Sequence, residues 1–319
     1  MHDLLENDIV NRIGIRGILT DSAILDVDNN KKIAYTTDSF VVSPLFFPGG
    51  NIGDLAVNGT VNDLSMVGAV PRFITSSFII EEGFEMESLR KITESMAIAA
   101  KVAHVKIVTG DTKVVNRGKG DGIFINTSGI GLIDKGIDIH PSNIKAGDII
   151  IVNSSIGRHG ISVMSERNGL SFDPPVLSDS APLNGLVEHM LSVTDQIHTM
   201  RDPTRGGLAT TLKEIALDTG FGISINEKDI AVDSGVRGAC ELLGLDPLYV
   251  ANEGLLVAFV EKNVAEFLLE QMKKHPLGKQ SIIIGEVLDD RSSKVFLKTE
   301  IGGSRILDLL TGEQLPRIC

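Results

Sequence analysis

From Lys32 to Val42 the chain alternates, placing Ala34, Thr36, Asp38, Phe40 and Val42 on one side, and this predicts a strand. Asp38 interrupts a face that is otherwise uncharged. The following loop, Ser43 to Gly50, is stiffened by Pro44 and Pro48 and released by Gly49 and Gly50, a natural entry to a helix beginning near Asn51. In that helix Ile52, Leu55, Ala56, Gly59, Met66 and Val67 recur at spacings of three and four, and Asp63 falls on the same stripe. A carboxylate on a buried face is costly unless it is paired or metal-bound. Asp63 is therefore either a core Asp satisfied by N–H donors or a functional group.

A second helix is predicted from Met86 to Ala103, with Leu89, Ile92, Met96 and Ala100 in phase. The strand Val105 to Thr109 then delivers Gly110-Asp111-Thr112-Lys113, and Gly118 to Gly122 read as the turn of a hairpin into Ile123-Phe124-Ile125. Near the start, Ile13 to Leu19 predicts a short edge strand. Gly-, Pro- and Lys-containing sequence between Asp134 and Gly147 marks a boundary, dividing the chain into 1–138 and 139–311 with a flexible tail at 312–319. The second half restarts with a strand over Asp148 to Ser154, a turn through Gly157-Arg158-His159-Gly160 into a helix, and a second helix entry at Arg205-Gly206-Gly207. A strand (Leu255 to Val260), a helix (Val264 to Lys273), a strand (Ser281 to Val287) and a hairpin-like end follow. Strands alternating with helices in both halves predict α/β or α+β layering.

Composition narrows the function. At 319 residues the chain exceeds what one core usually holds, and 42% hydrophobic content is ample for two domains. A net charge of −12, with no Trp, opposes a nucleic-acid partner, because such binding is driven by Lys and Arg displacing counterions. Two cysteines, Cys240 and Cys319, make no disulfide framework and fit a reducing compartment. No apolar run approaches the length of a membrane span, and the acidic first residues lack a signal-peptide core, so a cytoplasmic protein is expected.

Four acidic positions, Asp21, Asp38, Asp63 and Asp111, ask for one explanation, since carboxylates gathered in a site need cations to be stable. Magnesium holding a nucleotide phosphate chain is the economical choice, because it takes oxygen ligands and shares them with substrate phosphates. Lys113 and Asn62 would then serve the phosphates. No convincing P-loop or dinucleotide-binding glycine fingerprint is present. Arg205-Gly206-Gly207 at a helix start fits an anion site or a plain glycine-rich entry. Glu253, in Asn252-Glu253-Gly254, is either a cap or a general base. His159 beside glycines is left out of the catalytic set, and Cys240 is assigned to packing. The chain ends on a thiol, Leu315-Pro316-Arg317-Ile318-Cys319, and from Gly312 an extended tail reaches roughly 23 Å. That end is a candidate moving arm, set against the plainer reading of a frayed terminus.

Phe46-Phe47-Pro48-Gly49-Gly50-Asn51-Ile52-Gly53, Val61-Asn62-Asp63-Leu64, Val108 to Val115, Asp202-Pro203-Thr204-Arg205, Ala251-Asn252-Glu253-Gly254 and Pro316-Arg317-Ile318-Cys319, in this order, resemble the HypE family of nickel–iron hydrogenase maturation proteins. The resemblance implies the aminoimidazole ribonucleotide synthetase-like fold, with an N-terminal sheet domain that dimerises and ATP in the cleft it forms with a C-terminal α/β domain. It implies that a carbamoyltransferase, HypF, loads a carbamoyl group onto Cys319. ATP then drives dehydration of that thiocarboxamide to a thiocyanate, and the cyano group passes to iron on a HypC–HypD scaffold. By similarity the catalytic set is Cys319, Glu253 as base, Lys113 and Asn252. ATP would be bound by Asn62, Thr112, Lys113, Asp202 and Arg205, and Mg2+ by Asp21, Asp38, Asp63 and Asp111. The chain departs from the family pattern at Gly157-Arg158-His159-Gly160, where an acidic residue is usual before the His, and it lacks the family's opening His-Gly-x-Gly-Gly segment. Another ATP-using member of the superfamily is the alternative, as is a non-enzymatic scaffold. A selenophosphate synthetase would need a reactive Cys near the N-terminus, and none is present.

Overall fold

The computed structural model describes residues 20–27, 31–310 and 317–319. The strand expected at Ile13 to Leu19, and the tail from 312 up to 316, lie outside the described residues. The N-terminal half holds β1 (Ala23–Val27), β2 (Lys31–Phe40), β3 (Phe46–Phe47), β4 (Gly50–Asn51), α1 (Ile52–Met66), β5 (Val70–Glu81), α2 (Met86–Val102), β6 (Lys106–Val115) and β7 (Ile123–Ile133). The C-terminal half adds β8 (Ile149–Val152), α3 (Arg158–Asn168), α4 (Asn184–Val193), β9 (Ile197–Arg201), α5 (Gly207–Thr219), β10 (Ile223–Asn226), α6 (Ser234–Leu243), β11 (Val257–Val260), α7 (Ala265–Met272), β12 (Ile282–Val287), β13 (Val295–Lys298) and β14 (Ser304–Leu307). Each half is layered around a sheet, in the order β1-β2-β7-β5-β6 in the first and β14-β13-β10-β12-β8-β11-β9 in the second.

The alternation in β2 works as expected. Ala34, Thr36 and Phe40 are buried against α1, with Asp38 between them at the edge of the cleft. Asn51 starts α1 because its side chain accepts from Gly53 N–H at 2.8 Å while Asp54 accepts from Asn51 N–H at 2.7 Å, a reciprocal cap of the helix's free donors. The helix is buried nearly all round, since one side meets the first sheet and the other meets α4 and β9 of the second half. It is the wall shared by both halves.

Two expectations are corrected. Gly110 to Lys113 do not follow a strand but lie within β6, whose parallel pairing with β5 continues through Glu81 and Val115. Nor is Gly118 to Gly122 a hairpin turn between neighbours, because β5 pairs with both β6 and β7 and stands between them. The connection crosses the end of β5 instead. Local turn chemistry cannot distinguish the two, since both need the same glycine-rich reversal.

Candidate active site

The site lies where α1 and β2 of the first half face three segments of the second. Along α1, Asp63 follows Asn62, and their side chains do different work. Asn62 Nδ2 donates to Ala181 O (3.2 Å) and Glu253 O (3.1 Å), and its Oδ1 accepts from Leu183 N–H (2.8 Å). Its amide is thus spent on bracketing two loops. Asn252 behaves alike, with Oδ1 accepting from Gly157 N–H (2.6 Å) and Nδ2 donating to Pro203 O (2.8 Å). Both asparagines hold the site's frame together, whereas the sequence suggested contact with ATP for Asn62 and a catalytic role for Asn252.

Asp63, Asp21 and Asp202 bring one oxygen each to within 4.8 Å of one another. Thr36 Oγ1 donates to Asp63 at 2.7 Å, and Arg201 pairs with Asp21 at 2.7 Å. Burial, then the charges of Asp202, Asp21 and Asp38, holds the Asp63 carboxyl well above its usual range. Burial also raises Asp21 against the pull of Arg201, and burial and Asp21 push Asp202 up to about 8. Arg201 compensates one of these three mutually repelling, largely desolvated carboxylates, and the others are stable together only if protonated or bridged by a cation. Among the described residues the buried Asp21 Oδ2 has no hydrogen-bond partner, and the all-oxygen donor set suits a hard divalent cation.

Asp202, expected to bind nucleotide, therefore stands with the acidic group, and Asp111 does not. Asp38, Thr127, Ser76 and Gly110 form one cross-strand row on the face turned to α1, so the next row, with Ser39, Asn126, Ser77 and Asp111, points to the outer face. Three strand spacings, roughly 14 Å, separate β2 from β6. Asp111 is exposed, accepts from Thr112 N–H at 2.8 Å and pairs with Lys113 at 2.7 Å. The Lys113–Asp111 couple pulls the Asp111 carboxyl below its usual range. Asp111, Thr112 and Lys113 are thus on the edge strand, away from their own chain's acidic trio.

Glu253 is buried on the loop before β11, where Asp179 accepts from its N–H (3.2 Å) and from that of Gly254 (3.0 Å). Gly254 is required there, because a Cβ would meet Asp179 O at 1.9 Å. Among the described residues Glu253 Oε1 has no hydrogen-bond partner. Burial first, then Asp202 and Asp38, lifts its carboxyl well above the usual range. Asp38 itself is raised by burial, which Ser39 N–H and Arg205 oppose.

The last residues of the chain enter this cleft. Val41 N–H donates to Cys319 O at 3.0 Å and Ser43 N–H to Arg317 O at 3.1 Å, so 317–319 run antiparallel to the chain just beyond β2. Ile318 is buried in the cluster that holds Phe47 and Val163. Cys319 Sγ lies 4.0 Å from Arg205 Nη2, at the entry to α5. Burial pushes this thiol up to about 12, Glu253 and Asp38 act in the same direction, and Arg205 opposes them. The sequence reading missed His159, whose Nε2 lies 2.7 Å from Ile318 O, and Asp179, which fixes Glu253. Both contacts join positions far apart in the chain, and no local spacing signals them. Cys240 is buried on α6, in keeping with packing.

Comparison with known proteins agrees with this architecture. Residues 19–133 match the family described as AIR synthase related protein, N-terminal domain, and residues 145–298 match AIR synthase related protein, C-terminal domain. The carbamoyl dehydratase HypE of Cupriavidus necator is 51% identical over 299 residues, covering 94% of this chain and 85% of its own. Among solved structures, a chain from the HypE–HypF complex superposes with a TM-score of 0.91 at 51% identity, covering 96% of this chain and 99% of that one. HypE in complex with ATP gives a TM-score of 0.87 at 44% identity, covering 100% of this chain and 96% of that one. The chain belongs to the HypE family of carbamoyl dehydratases.

Proposed function

We propose that this protein carries a carbamoyl group on Cys319 and dehydrates it to a thiocyanate at the expense of ATP, inside the cleft between its N-terminal (1–138) and C-terminal (139–311) halves. The observation that carries the reading is the seat of the terminal thiol. Cys319 lies against Arg205 and in the field of the buried Glu253 and of Asp38, whose charge also acts on Asp63 of the acidic trio. A carbamoyl group on that sulfur would meet a cation and a carboxyl without leaving the cleft.

The chemistry follows from the leaving group. An amide oxygen departs poorly, so the carbamoyl oxygen takes the γ-phosphoryl group of ATP, releasing ADP, and then leaves as phosphate while the nitrogen loses both protons. The C–O bond breaks and a C≡N bond forms, with no change of oxidation state. Glu253, its Oε1 unpartnered, takes a nitrogen proton, and Arg205 neutralises charge on the phosphorylated oxygen. Asp21, Asp63 and Asp202, with Asp38 beside them, would hold Mg2+, which when bound neutralises the phosphate chain.

The carbamoyl donor is a HypF-type carbamoyltransferase, a reading supported by the solved HypE–HypF complex, and the cyano acceptor is iron on a HypC–HypD-type scaffold. The setting is cytoplasmic. The protein acts as a homodimer through the outer face of its first sheet, where Tyr35, Ile130 and Phe73 make an exposed cross-strand apolar row beside Leu132. Asp111 and Lys113 share that outer face. Stacking two sheets would offer them, with Thr112, to the partner's cleft, where they complete the metal and phosphate ligands.

Intact-mass measurement tests the reaction. The protein loaded by its carbamoyltransferase should lose one water on addition of Mg2+ and ATP, and Cys319→Ala should never load. Loading of Cys319→Ala, or loss of water without ATP, would overturn the reading.

A further inference from the structure

The three terminal residues are received by more than an apolar pocket. The carbonyls of Arg317 and Cys319 accept from Ser43 and Val41 of the first half, whereas the carbonyl of Ile318 is turned to the second half. It is met there by His159 Nε2 at 2.7 Å. A buried carbonyl on that side would otherwise lack a donor, a costly arrangement.

The tautomer of His159 is set by its neighbours. The Ile318 carbonyl can only accept, so Nε2 carries the hydrogen, and in the neutral ring Nδ1 accepts from the Ser178 hydroxyl at 2.9 Å while Ser178 Oγ accepts from Ser180 N–H at 3.1 Å. The proton of the neutral ring then sits on Nε2 and is aimed at the tail. Phe47 packs edge-on against the imidazole at 5.3 Å between centroids, which fixes the ring plane. Arg167 completes the arrangement by donating to Arg317 O at 2.8 Å and to Ser43 O, and Arg317 itself pairs with Asp121 in the segment between β6 and β7. Main-chain groups are thus recognised on both edges of residues 317–319, while the Ile318 side chain fills the cluster beneath.

We infer that His159, aided by Arg167, is a positioning residue for the dehydration step: its Nε2–H seats the Ile318 carbonyl and so fixes Cys319 Sγ beside Arg205 and Glu253. The inference rests on the proposed function only for the meaning of the seat, not for its existence. His159 touches neither sulfur nor the acidic trio. It acts through the backbone that carries the thiol. Because the recognised group is a main-chain carbonyl one residue before the cargo, the seat is the same for the free, carbamoylated and dehydrated forms of Cys319.

The test reads the seat and the reaction separately. Alkylation of Cys319 by iodoacetamide, followed by peptide mass with buried Cys240 as internal reference, reports how often the tail is out. His159→Leu should raise the Cys319 alkylation rate roughly tenfold, the loss expected for one buried hydrogen bond. His159→Gln, whose amide places a donor near the Nε2 position, should stay near wild type. With carbamoyl-loaded protein, water loss should slow in His159→Leu and recover in His159→Gln, while loading by the carbamoyltransferase does not fall. Should His159→Leu fail to fold, Ile318→Asp disturbs only the received residue and should show the same faster alkylation. Unchanged alkylation in His159→Leu or in Ile318→Asp, or a His159→Gln no better than His159→Leu, overturns the inference. If wild-type protein loses no water with ATP, the proposed function fails while the alkylation series still decides the seat.

Discussion

Arg205 Nη2 and Cys319 Sγ lie 4.0 Å apart, and this contact opposes the influences that keep the seated thiol neutral, since burial, Glu253 and Asp38 together push it up to about 12. A thiol in that seat is a poor nucleophile near neutral pH. Carbamoyl loading is therefore expected of the tail outside the cleft, with Arg205 serving the loaded group. Arg205→Met should load normally and dehydrate roughly 10²–10³-fold more slowly, the scale of removing one preorganised charge-stabilising donor. Intact-mass time courses with ATP measure both steps, and an unchanged rate of water loss would remove Arg205 from the chemistry.

Glu253 must be ionised to take a proton, yet burial and the neighbouring carboxylates raise its pKa well above the ordinary 4.5. A base of raised pKa is ionised only as pH climbs, so the dehydration rate of loaded protein should rise with pH along an acidic limb. Cation binding at the trio removes the repulsion from Asp202 and Asp38 and should move that limb to lower pH. Glu253→Gln keeps the shape, loads normally, loses roughly 10²–10⁴-fold in dehydration and abolishes the limb. A rate profile that retains the limb in this variant assigns it to another group.

Much of this site was legible residue by residue. Asp63 betrayed itself by breaking an apolar helical stripe, and Asp38 by breaking an alternating strand, because a charge where burial is periodic carries a physical cost. Asp202 was placed near phosphate but not among the metal ligands, since nothing in its own segment says that β9 ends beside α1. Asn62 reads as an amide donor or acceptor for phosphate and Asn252 as catalytic by resemblance of its motif; here their hydrogen bonds go to loop carbonyls and N–H groups more than a hundred residues and some fifty to a hundred residues away, respectively. His159 was passed over for the converse reason. Its partner is 159 residues away, and pairing over such a distance leaves no trace in spacing. In the fold, elements marked by their own periodicity were recovered, whereas the insertion of β5 between β6 and β7 is a matter of topology that turn residues do not encode.

The acidic trio makes a prediction about stability with a definite sign. Asp202 has an ordinary pKa of 3.8 and is raised to about 8 in the folded protein. The folded state then holds a proton that the unfolded state gives up, so its contribution is fully present below about pH 4 and is lost as pH rises through about 8. Without divalent cations the Tm should therefore fall between about pH 6 and about pH 8, and Mg2+ should restore more at the higher pH, where the trio is ionised. Asp202→Asn should flatten the cation-free slope and remove most of the Mg2+ response. Thermal melts of both proteins at the two pH values decide it, and an unchanged Mg2+ response in Asp202→Asn would exclude the trio as the cation site.

Lys113 poses the sharpest geometric question, because it is exposed on the outer face of β6 and its partner within the chain is Asp111 at 2.7 Å, across a sheet from Glu253. If it serves catalysis in a partner's cleft, two defective proteins should repair each other. Glu253→Gln and Lys113→Ala homodimers should each be inactive. A mixed dimer of the two then contains one cleft with an intact Glu253 facing an intact Lys113, and one cleft lacking both. Unfolding and refolding an equal mixture, with each protein carrying its own Cys319, should recover roughly a quarter of wild-type dehydration, since about half of randomly paired dimers are mixed and each has one working site. Were Lys113 to act within its own chain, every cleft in the mixture would lack one group and nothing would be recovered. The same mixture prepared with Tyr35→Asp in both chains, which puts a charge into the apolar row shared with Ile130 and Phe73, should recover nothing either way. Recovery in that control would show that the outer sheet face does not join the subunits.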